Sequence, residues 1–244
     1  MLASNTSRPS TNLIRSHSIK IYAGLVAALV TIYAAFTFLP DNYIVPVLGT
    51  PTVWHEIVVL AGLGLAGLWL SQRAGFPEVW ADHVSNRQRF LLPAIVGLVL
   101  GTILVLFNAL ALKLPAGFHV PFPASVFYYA YASIESEILF RLFPIPLFVW
   151  LISGVTLRNR WQGPIFWGVA AVLSLLEPLM QITGLQQMGL LSSMHPIIIG
   201  LMITLVYSTN LALAYYFRKS GFLAPLAMRF AFYLAWHIAI PILG

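Results

Sequence analysis

The chain has no cysteine among its 244 residues, which excludes disulfides, thiolate metal sites and a cysteine nucleophile. Charge is scarce as well: Asp, Glu, Lys and Arg make up 8% of the residues, against 59% hydrophobic ones. An average soluble domain is about a quarter charged, so this composition cannot cover a water-facing surface. The low hydrophobicity that marks disorder is missing too. Acid is scarcest, with 7 Asp and Glu against 13 Lys and Arg. The basic excess forms no compact stretch, so no nucleic-acid partner is expected. There is no HExxH sequence, and neither a metal nor another cofactor is expected. What remains is a polytopic protein whose solvent is hydrocarbon and whose first partner is membrane lipid.

What is present is a series of long apolar runs. Residues Met1–Lys20 are polar, rich in Ser, Thr and Asn, and read as a disordered basic tail. The run Ile21–Leu39 is too long for a signal peptide and long enough to span, with Pro40-Asp41 closing it. Further runs lie near Val53–Ser71, Leu91–Leu112, Phe122–Ser153, Trp161–Ile182, Pro196–Phe217 and Phe222–Leu243, seven in all. Residues 21–244 therefore read as one integral membrane domain. The fourth run is 32 residues long and contains Pro144 and Pro146. It is either one tilted, kinked helix or a helix followed by a broken half-helix.

Loop charges decide between these options. With the N-terminus inside, the inside segments carry Arg8, Arg15, Lys20, Arg73, Arg87, Arg89, Arg158, Arg160, Arg218 and Lys219, and the outside segments carry only Lys113. A ten-to-one bias is a positive-inside pattern, and two crossings in the fourth run would destroy it. The expectation is an all-α bundle of about seven transmembrane helices, N-terminus cytoplasmic and C-terminus on the opposite side. The segment Ser71–Phe90 reads as an ordered interfacial loop with Phe76 and Trp80 at headgroup level, or as a plain topogenic loop.

Charges within spans are costly and face a protein interior or a wet cavity. Glu135, Glu137 and Arg141 lie in the fourth span, Glu177 in the fifth and Arg229 in the seventh. Glu137 and Arg141 are i,i+4 and can pair on one face, while Glu135 faces elsewhere. Arg229, Tyr233 and His237 form a second stripe at the same spacing. Counting depth at about 1.5 Å per residue puts Glu137, Glu177 and His237 in one layer about 24 Å from the inside ends. With Arg141 paired on its own helix, Glu177 is the partner left for Arg229. The arrangement reads first as a structural ion-pair network joining three helices, and second as a water-activating site. His55, His83 and His119 fall near span ends, where solvation is adequate.

The run Glu137-Ile138-Leu139-Phe140-Arg141 resembles the end of the EExxxR motif of the CPBP family of CAAX proteases and bacteriocin-processing enzymes. Leu173-Ser174-Leu175-Leu176-Glu177 falls where that family has its second motif. The stretch Tyr216–Arg229 resembles its turn into the last motif helix, so the likeness covers residues 115–244. The resemblance implies a membrane helix bundle and an intramembrane glutamate-type endopeptidase acting on a hydrophobic or lipidated peptide. In the family a Glu and a His activate water, and a His and an Asn stabilise the oxyanion. Here Ser136 replaces the first Glu, Glu177 the second-motif His, and Arg229 and Tyr233 the last-motif His and Asn; only Glu137 and Arg141 match. One catalytic scheme survives: Glu177 as the base on water, Arg229 and Tyr233 as the oxyanion pole, and Glu137 with Arg141 as scaffold. The expectations are a divergent endopeptidase, a non-catalytic relative that holds a peptide or a partner transmembrane helix, or a transporter. The last has no internal repeat behind it.

Overall fold

In hydrocarbon the backbone must satisfy its own hydrogen bonds, which leaves this chain the α-helix. The computed structural model describes residues 16–38, 54–115 and 118–239, and among these every regular element is helical. Seven helices follow one another: α1 (Ser16–Phe38), α2 (Trp54–Arg73), α3 (Arg87–Leu112), α4 (Ala124–Thr156), α5 (Gln162–Gln187), α6 (Pro196–Ser220) and α7 (Leu223–Ala239). The first six are long and apolar enough to cross a membrane, which makes this a multi-pass integral membrane protein. The seventh expected span corresponds to α7, whose described part is a shorter apolar helix. Residues 1–15 of the expected tail, the Pro40-Asp41 stop and the last five residues lie outside the described ones. Ser16–Lys20, expected in the tail, are already helical in α1.

The long fourth run is one bent helix of 33 residues, not a helix and a half. Pro144 has no amide to donate, and its ring crowds the carbonyl one turn before it. The backbone answers with a wide turn over Ile138–Leu142, where the Phe143 amide donates to the Ile138 carbonyl at 3.2 Å. Glu137 immediately precedes that turn and Arg141 sits in it. In α5 the regular helix breaks at Leu175, because Pro178 cannot donate to the carbonyl of Ser174. Both helices therefore bend beside their charged residues.

Small residues set the closest helix contacts. Gly97 and Gly101 of α3 lie against the backbone of Met228 and Phe232 of α7, so close that a Cβ on Gly101 would come 2.6 Å from the Phe232 carbonyl oxygen. The register rises together along both helices, so α3 and α7 run parallel. This is small-xxx-small packing, in which backbones approach because no side chain intervenes. Gly64 makes room for Tyr22, whose hydroxyl is shared between the carbonyls of Leu60 (3.1 Å) and Ala61 (3.0 Å).

The segment between α2 and α3 is ordered and packed on the bundle, as expected, and is not a plain loop. Phe76 is buried between Phe166 of α5 and Phe217 of α6, because those helices leave an apolar gap at this end of the bundle. Trp80 is half-buried, with the Arg89 guanidinium 3.9 Å from its ring centre. Arg89 is a buried residue, not a loop charge: it donates to the Ala81 carbonyl at 2.7 Å and the Asn86 amide oxygen at 3.0 Å. The Trp80 face and these acceptors replace part of the water it lost, while its buried Nε has no hydrogen-bond partner. Ser18 of α1 bonds Glu78 and the Trp80 amide, and Gln162 of α5 donates to the Ala74 carbonyl. Gly221, which ends α6 at φ +79°, lies where a Cβ would come 2.6 Å from the Glu78 carbonyl oxygen. The segment thus ties together the ends of α1, α5 and α6 and covers the buried start of α7 at Phe222–Ala224.

Candidate functional site

Arg229 stands at the centre of a buried polar network formed by α4, α5, α6 and α7. Its Nη1 and Nη2 donate to the two carboxylate oxygens of Glu177 at 2.6 and 2.8 Å, a bidentate fork. Its Nε donates to Glu137 Oε1 at 2.5 Å. Nη1 also reaches the Tyr233 hydroxyl at 3.1 Å, and Nη2 reaches Asn210 Oδ1 at 3.3 Å. Arg141 donates to Glu137 Oε1 at 3.2 Å, to Glu177 Oε2 at 3.4 Å and to Asn210 Oδ1. Ser136 lies near Tyr233. Two carboxylates and two guanidiniums make a neutral set, the condition under which buried charges are tolerated. One atom stands outside it: Glu137 Oε2 is buried and has no hydrogen-bond partner.

A cavity of about 90 Å³ adjoins the network, with Glu177, Gln181, Thr209, Asn210, Tyr233 and His237 among its lining residues. A single water needs roughly 10–15 Å³ of such space, so several water-sized groups fit. The polar wall can hydrogen-bond a peptide group or water. It is poorly arranged to deprotonate one. Both oxygens of Glu177 already accept from Arg229, and taking a proton would break that fork and strand a guanidinium charge.

No family model, curated protein or solved structure matches this chain.

The structure brings together Glu137, Arg141, Glu177, Arg229, Tyr233 and Ser136. The expected Glu177–Arg229 pair between the fifth and seventh helices is present. The simple division of partners is not, since Arg229 also holds Glu137 and Arg141 also holds Glu177. His237 does not join the carboxylates. It lines the same cavity, but its Nδ1 lies 2.9 Å from Nδ1 of His119 and its ring stacks on Tyr129 at 4.2 Å. Two more helical turns separate it from Arg229, beyond carboxylate reach.

His119 was expected in a solvated position and is buried instead, packed edge-on against Phe118 and Trp236. Burial pushes its imidazole down to about 4, so it is neutral at pH 7. His55 and His83 are exposed, as their positions near span ends imply. Asn210 is the residue that reasoning from ionisable groups missed. An amide ten residues inside an apolar helix was the available signal, because a polar side chain at that depth needs a partner on another helix. Glu135 stays apart from the network and is closer to Glu56 of α2.

Proposed function

We propose that this chain is a non-catalytic relative of the CPBP endopeptidases, which holds a membrane-embedded peptide or a partner helix at the cavity without cutting it. The observation that carries this reading is the fork between Arg229 and Glu177, which occupies both oxygens of the carboxylate that a rearranged mechanism would need as its base. Asn210, Thr209 and Gln181 on the cavity wall supply the donors and acceptors that an extended peptide backbone would use. A divergent endopeptidase would instead need Glu177 to take a proton while two guanidiniums favour its charged form.

The test uses purified protein in detergent micelles and a fluorescently labelled farnesylated peptide. The peptide should bind, raising its anisotropy, and keep its mass. Cleavage that disappears in Glu177→Gln would replace this reading with the endopeptidase. An intact peptide with unchanged anisotropy would remove the holding role.

The proposed orientation is N-terminus in the cytoplasm and C-terminus on the opposite side. Lys20, Arg73, Arg87, Arg89, Arg158, Arg160, Arg218 and Lys219 belong to helix ends and loops that gather at one end of the bundle, joined by the Ser18–Glu78, Gln162–Ala74 and Arg218–Gly163 hydrogen bonds. The parallel register of α3 and α7 agrees with an odd number of crossings. A reporter inserted after Arg160 should be active only as a cytoplasmic one, and a reporter after Gly244 only as an exported one. A cytoplasmic reporter active after Gly244 would mean that α7 does not cross.

A further inference from the structure

One to two turns along α4 and α5 from the charge network, toward the loop that joins them, the two helices separate around an apolar groove of about 510 Å³. Phe148 and Ile152 of α4 form one wall, and Ile165, Val169 and Val172 of α5 form the other. Gly168 is its floor: a Cβ there would meet nothing within 4 Å. Phe148, Ile152 and Val172 are 42%, 40% and 66% exposed, so no other part of the described chain covers them. The wide turns of α4 over Trp150–Thr156 add to the separation.

The groove is open along its outer side and runs about 12 Å along α5 from Ile165 to Leu173, long enough for a stretch of flexible hydrocarbon chain to lie in it.

Charge decides what sits at the mouth. The chain passes from one wall to the other through residues 157–161, so that loop closes the groove's near end. It carries Arg158 and Arg160, both exposed, and neither makes an ion pair among the described residues. Trp161 beside them is 70% exposed, the kind of residue that settles at headgroup level. Arg158, Asn159 and Trp161 all have positive φ (51°, 63° and 61°), an uncommon backbone for residues other than glycine. The hydrogen bond from Ser153 Oγ to the Arg160 carbonyl, at 2.9 Å, holds that turn at the end of α4.

We propose that this groove is a binding site for an anionic phospholipid, with an acyl chain along Gly168 and the phosphate on Arg158 and Arg160. The site lies apart from the charge network and does not depend on what the cavity there holds.

Native mass spectrometry of the purified full chain tests it, with phosphatidylglycerol and phosphatidylcholine of the same acyl chains as probes. At about 1 kcal/mol per arginine, phosphatidylglycerol should be retained about thirty-fold better. Arg158→Ser with Arg160→Ser should abolish that preference. Gly168→Leu should fill the groove and lower retention of both lipids, and its Cβ has room, so the fold should survive. A melting temperature measured on each variant confirms that folded proteins are compared. Equal retention of the two lipids by the unaltered chain would overturn the proposal. So would a preference unchanged by the arginine replacements, retention unchanged by Gly168→Leu, or displacement of the lipid by water-soluble glycerophosphate at equal concentration, which would make the site a phosphate site without a chain.

Discussion

In detergent, Arg229→Met and Glu177→Gln should each destabilise the protein by about 3–5 kcal/mol, and the double variant should lose clearly less than the sum of the two. Arg229→Met leaves Glu137 and Glu177 sharing Arg141, a buried excess of one negative charge. Glu177→Gln leaves two guanidiniums on Glu137, an excess of one positive charge. Removing both restores neutrality, because Glu137 and Arg141 remain an i,i+4 pair on one helix. The double variant's remaining deficit is the loss of the fork and of the contacts to Asn210 and Tyr233. A thermal-unfolding cycle over the four proteins measures the coupling. Additive losses would mean that the fork contributes nothing to folding, and the case for Glu177 as an engaged, non-basic carboxylate would go with it.

The second large effect is expected at Gly97. In an exposed helix interior, Gly→Ala is ordinarily favourable by about 1 kcal/mol. At Gly97 the sign should reverse, because a Cβ would collide with the Met228 carbonyl oxygen, which is backbone and cannot turn aside. Overfilling a packed contact costs about 1–3 kcal/mol, and a backbone collision belongs at the upper end of that range. Gly97→Leu should cost more still. It would push α7 off α3 at the residue before Arg229, so the fork to Glu177 should weaken with it. Gly168→Ala is the matched control, with nothing within 4 Å of its new methyl, and it should be neutral or slightly stabilising. Unfolding temperatures of the three variants in one detergent give the comparison. A stabilised Gly97→Ala would show that the α3–α7 contact is not made through Gly97.

The Gly97-x-x-x-Gly101 spacing was there to be read as a helix-packing face, and reasoning that looked only for charge passed over it. Its partner was not legible, because the pattern marks a face without saying which helix meets it. Asn210 was passed over for a similar reason: an amide carries no formal charge, yet at that depth it needs a partner just as a charge does.

The depth count held for Glu137 and Glu177, which share both guanidiniums, and failed for His237 and for Arg229. Arg229 lies six residues into α7, about 9 Å, and Glu177 fifteen residues into α5, about 22 Å, yet they touch. Counting from helix ends assumes that all helices start in one plane. Here α7 starts deeper, beneath the segment that carries Phe76 and Glu78, and that offset is a product of packing.

By itself the sequence determined the solvent, the helical class, six helices long and apolar enough to cross a membrane, and the Glu137–Arg141 pair. Each follows from composition or from the 3.6-residue period, and both act within one segment of chain. It also determined that Arg229 needed a carboxylate, since no residue one turn away on α7 could supply one. The tertiary structure decided which carboxylates, by the azimuth and axial offset of four helices around a common axis. Those offsets are set where backbones meet at Gly97 and Gly101 and where Pro144 and Pro178 bend α4 and α5. The same packing buried Phe76 and Arg89 and joined His119 to His237 across 118 residues. Local periodicity gives a residue its face on a helix, but only the mutual exclusion of side chains and backbones settles which helix that face will meet.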